Sequence, residues 1–421
     1  MDITAIPSQL GQSLQDILNG ATRFARPIIT YNGAGVSQLV YPSLQELTYK
    51  EGTEQTGDNV ELKLADPEGK FRLTWRLKGA VPLNLALESE NWNYLGERTY
   101  RDCGSFEISR IGIKQQKRSG TTVSLYATSI PVSSSGRLER KNRAWTKTTL
   151  KAMAAQIAAD NNLTLQYIAK EDPAIARSDQ HDESDYVLLN RHAHENDLFI
   201  KVKNHALWII SKEELEQQSP VGTIICPTPD HPGGINGFGG IEDWEINEST
   251  EDIYKAAEVK FRNCKTGTTL VGTCTDPHAV VGATLRDKYN PHPESDEDTD
   301  NAPMTVPKAA AASGLLPPLI QKPWAKNPYP ATVPAISANT GSTTKAQRVA
   351  KSKLKKKNRK GKKHRLVVPL NLRIEAGTVY TLKGFSPDFD SNWLIIDCEH
   401  KFSAKGGSTT SLDLQMCITG Y

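Results

Sequence analysis

Two segments far apart in this chain read as the same piece of β-structure, and that duplication limits what the chain can fold into. The first is Gly104-Ser105-Phe106-Glu107-Ile108, a charged turn, then Gly120-Thr121-Thr122-Val123-Ser124-Leu125. The second is Ser391-Asn392-Trp393-Leu394-Ile395, a polar turn, then Gly407-Ser408-Thr409-Thr410-Ser411-Leu412. Phe106 precedes Gly120 by the same interval that separates Trp393 from Gly407. Each copy also has an upstream strand opened by glycine, at Gly79-Ala80-Val81 and at Gly377-Thr378-Val379. A period of this size implies two related β-domains in one polypeptide. Chance likeness of glycine-turn hairpins is the bland alternative, but it does not explain why strand order, turn length and ending all recur.

Period-two alternation runs through the first copy. Val60, Leu62 and Leu64 alternate with Glu61 and Lys63, and Val81, Leu83, Leu85 and Leu87 form a later run. Between them Phe71, Leu73, Trp75 and Leu77 alternate with Arg72, Thr74, Arg76 and Lys78, which predicts a middle strand with a densely basic outer face. Asp66-Pro67-Glu68-Gly69 supplies the turn before it. From about residue 146 the period becomes helical. Leu150, Met153, Ile157 and Ala158 share a face, with Thr148 or Thr149 as N-cap. Leu163, Leu165 and Tyr167 predict a short strand, and Ser184 a helix through Tyr186, Leu189 and Ala193. A hairpin over Phe199–Ile210 turns at Asn204-His205.

These patterns divide the chain into an N-terminal arm (1–22), a first β-domain (23–135) and an α/β insert (136–222). The first part of a second β-domain follows (223–272, with Val259 and Phe261 alternating), then a Pro-rich insertion (273–342) with an acidic knot at Glu294–Asp300. The last segment (343–421) holds a basic run and the rest of the second β-domain. Ala346–Leu354 has helical composition, and strands resume at Leu366. The Pro-rich insertion has no periodic apolar face, so it reads as an extended excursion or loop. The fold class expected is mainly β with an α+β insert: two tandem related β-domains separated by a small α/β domain.

The 421 residues suffice for two or three cores, and a net charge of +3 is too small to make the whole molecule a polyanion binder. No apolar stretch approaches the roughly 18 residues a membrane-spanning helix requires, so no membrane anchor is expected. Met1-Asp2-Ile3-Thr4 does not open a signal peptide. Six cysteines without CxxC pairs point to reduced thiols in a protein made in a cytoplasm.

Candidate chemistry is thin. His181-Asp182-Glu183-Ser184-Asp185 has metal-ligand and acid–base types, but it also stands where a helix starts and where acids complement its dipole, so capping is preferred. His192-x-His194 does not share a helical face. Cys264 and Cys274 make at most two ligands, and the loop Gly233–Gly240 lacks the Lys-Ser/Thr of a phosphate loop. No catalytic, cofactor or metal residues are assigned, and no cofactor is expected. The basic run, with Lys353, Lys355, Lys356, Lys357, Arg359, Lys360, Lys362 and Lys363, is a candidate polyanion or partner contact. It contains no aromatic for base stacking.

In this order of domains the chain resembles the late control protein D family of contractile-tailed phages, the baseplate hubs, related in fold to the hub part of type VI secretion spikes. The resemblance rests on Asp58–Leu64 with Trp75 and Gly79, Cys103–Ile108, Trp145–Leu150, and Ser178-Asp179-Gln180 with Glu183-Ser184-Asp185. It closes on Gly377–Leu382, Asp397–His400 and Gly407–Leu414. It lapses at residues 1–22 and in the Pro-rich insertion. The resemblance implies a structural protein without catalysis in which the two β-domains are tandem related tube-like β-barrels, and a homotrimer whose two barrels per chain make a six-barrel ring. That ring would adapt a six-fold tail tube to a three-fold spike. Implied partners are the tail tube protein, the spike protein and baseplate wedge proteins, with DNA or a tape measure in the lumen. The implied location is the virion tail baseplate, assembled in the bacterial host cytoplasm. Arg72, Arg76 and Lys78 are then candidates for the lumen or a neighbour contact. Two other readings stand beside it: a tail-associated cell-wall hydrolase with active carboxylates in the insert, and a nucleic-acid-binding protein acting through residues 345–365.

Overall fold

The computed structural model describes residues 23–92, 96–117, 120–132, 134–248, 254, 256–262, 269–276, 332–333, 343–404 and 407–418. They fall into two compact units, one of residues up to 190 with 199–245 and 364–415, the other of 191–198, 246–363 and the C-terminal residues. Only strands of four or more residues and helices of eight or more are numbered below.

The first copy of the duplicated segment contains β1 (Phe24–Tyr31), β2 (Leu44–Gly52), β3 (Asn59–Ala65), β4 (Pro82–Glu90), β5 (Arg98–Gln116) and β6 (Gly120–Thr128). The insert follows with β7 (Lys141–Thr149), α1 (Leu150–Asp160), β8 (Thr164–Ile168), β9 (Ala174–Glu183), α2 (Asp185–Glu195), β10 (Leu198–Lys203) and β11 (Ala206–Ser211). After them come β12 (Gly222–Ile225), β13 (Asp243–Glu248), β14 (Ala256–Arg262), β15 (Thr269–Thr275) and α3 (Thr343–Asn358). The chain closes with β16 (Lys362–Pro369), β17 (Val379–Lys383), β18 (Asn392–Ser403) and β19 (Thr409–Met416).

Strand order repeats. The first copy runs β4-β5-β6-β3-β2 and the second β17-β18-β19-β16-β13. Register repeats too. Leu83 lies opposite Phe106 and Asn84 opposite Ser105, as Tyr380 lies opposite Trp393 and Thr381 opposite Asn392. The Asp66 N–H donates to the Thr121 carbonyl at 2.8 Å, and its counterpart Leu370 N–H to the Ser408 carbonyl at 3.0 Å. Alternation explains the burial: Val60, Leu62, Leu64, Val123 and Leu125 turn inward in one copy, Leu366, Val368, Leu412 and Leu414 in the other. The copies differ at their margins, where β1 pairs antiparallel with β4 but β12 pairs parallel with β17. The two copies share one sheet because β2 pairs antiparallel with β18, Glu46 opposite Ser403 through Gly52 opposite Asp397.

Two expectations are corrected. The strand expected over Phe71–Leu77 is a π-helical turn, Lys70–Thr74, and an irregular stretch. Phe71 and Trp75 are four apart, a spacing that serves a helical turn as well as a strand. Phe71 is buried and meets Trp75 edge-on at 6.2 Å, while the Asp66 carboxylate accepts the Phe71 N–H at 3.1 Å. Arg72, Arg76 and Lys78 are exposed on this turn and loop, and no strand face presents them. Second, the sheet of the second copy takes in β13 but not β14 or β15, although the sequence carried that barrel to residue 272. Those two strands form their own sheet with the short strand Thr332–Val333. Tyr254, Ala257 and Val259 pack there against Val349, Ala350 and Leu354 of α3. A strand whose apolar face is taken by a local helix has none left for the barrel.

The insert follows its sequence pattern. Thr149 caps α1 by accepting the Ala152 N–H at 3.2 Å. Tyr186, Leu189 and Ala193 of α2 are buried, and Asn204 (φ 51°) and His205 (φ 56°) make the left-handed turn between β10 and β11. The Pro-rich insertion, apart from its margins, and the arm 1–22 lie outside the described residues, as does Cys264. Among the described residues Cys103, Cys226, Cys274, Cys398 and Cys417 form no disulfide. No described helix is long and apolar enough to cross a membrane.

A buried charge clamp as the candidate functional site

Where β2 meets β18, charged side chains converge in the interior. Glu51 on β2 faces Arg101 on β5, with Oε1 2.5 Å from Nη2. The other guanidinium nitrogen donates to the carbonyls of Leu372 (3.1 Å) and Ile374 (2.6 Å), in the loop entering β17. Glu51 Oε1 also accepts the Ala376 N–H at 2.9 Å, and Oε2 accepts the Tyr49 hydroxyl at 2.9 Å. Two lysines of β10 enter from the insert: Lys201 lies 2.7 Å from Asp58, and Lys203 lies 3.1 Å from Asp58 and 3.5 Å from Glu51. Glu51 is 3% exposed and Asp58 0%, so water does little to screen these pairs. The clamp therefore ties together the first copy, the insert and the second copy.

Its titration behaviour suits a structural joint. Burial pushes Glu51 up, but Arg101, Lys203 and Lys201 with the Ala376 N–H outweigh it and hold the carboxyl down at about 2. Burial, helped by Arg101, pulls His400 down to about 3. That neutral ring stacks on Tyr49 at 6.1 Å, and its Nδ1 is 3.0 Å from the Thr410 hydroxyl. Burial raises the Cys103 thiol to about 12 and raises Cys398 and Tyr49 as well. A pinned carboxylate and thiols pushed away from thiolate offer neither a proton shuttle near neutrality nor an activated nucleophile. No group of three His, Cys, Asp or Glu among the described residues could hold a metal ion.

One carboxylate of the insert's acidic cluster joins a buried ion pair. Asp185 opens α2 as the sequence suggested, but it is fully buried, with Lys141 at 2.7 Å and Arg143 also on the carboxylate. Both cations come from β7, whose pairing with β9 brings them over the helix start. The basic run divides. Lys355 and Arg359 are buried, with Arg359 in a two-point ion pair to Asp197 (2.5 and 2.9 Å). Lys353, Lys357 and Lys362 are half-buried, and Lys356 and Lys363 are exposed. The Lys360 side chain lies outside the described residues. Lys362 begins β16, four residues before the expected start of the strand. Arg76 and Lys78 rim an apolar cavity of about 490 Å³ lined by Ile29, Val40, Phe71 and Trp75.

Sequence reasoning did not find the clamp. Glu51, Arg101, Asp58, Lys201 and Lys203 lie on four different strands or their flanks, and no spacing joins them. The one available signal was a charged residue at an inward position, as Glu51 is beside Tyr49.

The model of the family described as phage tail baseplate hub (GPD) matches residues 108–406. No curated protein sequence matches the chain. Among solved structures the fold is similar to the tail protein from Neisseria meningitidis MC58 (TM-score 0.61, 12% identity, 93% of this chain and 96% of that one). It is also similar to the 43 kDa tail protein of prophage MuSo2 from Shewanella oneidensis (TM-score 0.57, 10% identity, 93% and 98%). A chain of the half-lidded Francisella PdpA-VgrG complex is similar over all of this chain and 64% of its own (TM-score 0.51, 9% identity).

Proposed function

This chain belongs to the phage tail baseplate hub family, and from that premise we propose that it forms a homotrimeric ring adapting a six-fold tail tube to a three-fold spike. The observation that carries the reading is the five-strand order found twice in one chain, joined edge to edge through β2 and β18. Two near-equivalent domains per chain let three chains present six similar surfaces on one side while keeping three-fold symmetry on the other. On this reading each five-strand copy is the core of one tube-like barrel, and the clamp fixes the angle between neighbouring barrels. The tube protein, the spike protein and baseplate wedge proteins are its neighbours, with DNA or a tape measure passing through the lumen. It works in the virion baseplate after assembly in the host cytoplasm, without catalysis. Arg72, Arg76 and Lys78 contact the lumen or a neighbour, and Lys356 and Lys363 are the exposed members of the run, among the described side chains, left for a polyanion or partner.

The test is the mass of the purified protein, alone and with the tube and spike proteins. A mass of three chains, rising on addition of tube protein, is expected. A protein that stays monomeric or dimeric with tube protein present overturns the ring. Cell-wall clearing by the purified protein that Glu183→Gln abolishes would replace the hub without catalysis by a hydrolase.

A further inference from the structure

Among the described residues the repeat leaves two strand edges without a partner strand, and they correspond to the two edges that meet within the chain at β2 and β18. On one side of β18, β17 ends at Leu394 and β2 continues from Asp397 to Ser403. On the matching side of β5, the pairing with β4 ends at Glu107, and Ile108 bonds to Ala80 and Val81. Beyond it Arg110–Gln116 pairs with β6 on its other side only, among the described residues. Ile113 on that stretch is 54% exposed. The counterpart of β2 is β13, which among the described residues pairs with β16 alone and whose Trp244 is 41% exposed. Edges of this kind are templates for another strand.

Charge supports the match. Arg110, Lys114 and the following Lys117 are the only ionisable residues on this stretch of β5. Glu242, Asp243, Glu245 and Glu248 are the only ones on and just before β13. Within the chain, the equivalent β2–β18 pairing carries ion pairs across it, Lys401 to Glu46 at 2.9 Å and Lys50 to Asp397 at 4.0 Å.

We propose that β13 of one protomer pairs antiparallel with the Arg110–Gln116 edge of β5 in the next, so that the interface between chains repeats the junction within the chain. The inference rests on the ring reading above and names its contact. The repeat also gives the register. Gln116 follows Phe106 as Ser403 follows Trp393. The Glu242 N–H donates to the Val367 carbonyl, and Val367 stands before Leu370 as Lys63, the partner of Glu46, stands before Asp66. Glu46 lies opposite Ser403, so Glu242 lies opposite Gln116. Lys114 then faces Trp244 with Glu242 on its diagonal, Arg110 faces Glu248, and Ile113 faces Glu245. The last two occupy the places of the stacked His400 and Tyr49. Such a head-to-tail contact closes into a ring when its rotation allows.

The test uses the full chain with its tube protein, and wild type as the background for native thiols. Under oxidation, Ile113→Cys with Glu245→Cys should link protomers, and Ile111→Cys with Glu245→Cys should not. Lys114→Glu should lower the fraction assembled, and adding Glu242→Lys should restore it. A chain that trimerises but forms no link between 113 and 245 overturns this pairing, assigns the edges to other tail components and leaves the ring standing. Linkage from 111 instead overturns the register. A chain that never self-associates overturns the pairing and the ring together.

Discussion

Arg101 and Glu51 are each buried where an unpaired charge would be costly, and their worth is therefore mutual. Removing one partner of such a pair costs about 3–5 kcal/mol, mostly from the ion left behind. Arg101→Met should lower unfolding stability in urea by that amount, and adding Glu51→Leu should recover part of it. Asp185→Asn, with Lys141 and Arg143 stranded, belongs to the same class and should exceed the roughly 1 kcal/mol of a lost cap. Acid acts on the same groups. Glu51 sits at about 2, below its ordinary 4.5, so its stabilising effect is complete above that value and is lost as pH falls toward 2. His400 at about 3 and His364 at about 4 stay neutral when folded, while the unfolded chain takes up protons below about 6.5. Stability should accordingly fall with pH from about 6.5 downward. Urea midpoints at about pH 7.5 and about pH 5 measure it, and His400→Gln should flatten the slope between them.

At the level of elements, period-two runs named the strands well, because an antiparallel strand with one wet face must alternate. Where apolar spacing fitted two periods, as at Phe71 and Trp75, the buried turn won. Phe71→Ala should cost about 3–5 kcal/mol in a denaturant titration, a value fit for a core aromatic and too large for an exposed loop. Gly104 tests the seam between the first copy and the insert. Its φ is +96°, and a Cβ built there would stand 1.9 Å from Asn204 Oδ1, which also accepts the Ser105 N–H. Gly104→Ala should therefore destabilise, and Gly104→Ala with Asn204→Gly should recover the steric share but not the strain of the left-handed backbone. The helix over 343–358 was only partly legible. Its apolar residues Val349, Ala350 and Leu354 are few among the lysines, and what buries them lies on strands far away in sequence.

On the scale of the whole molecule, duplication was legible because it is written twice in the sequence. The join between the copies was not, since nothing in residues 44–52 announces a partner at 397–403. That join has a consequence in time. Strand β2 emerges early in synthesis, and its second neighbour is made about 350 residues later, a delay of roughly 20–70 s at about 5–20 residues per second. Throughout that interval the nascent chain carries an open edge, Glu51 lacks the loop amide of Ala376, and Arg101 lacks the carbonyls of Leu372 and Ile374. Chains stalled or cut before β18 should accordingly be recovered as aggregates or bound to chaperones, whereas the finished chain should stay in the supernatant. Pulse-labelled lysates separated by centrifugation would show the crossover at the length where residue 403 has left the ribosome. On that expectation the last strands would act as a checkpoint on completeness, withholding unfinished chains from assembly.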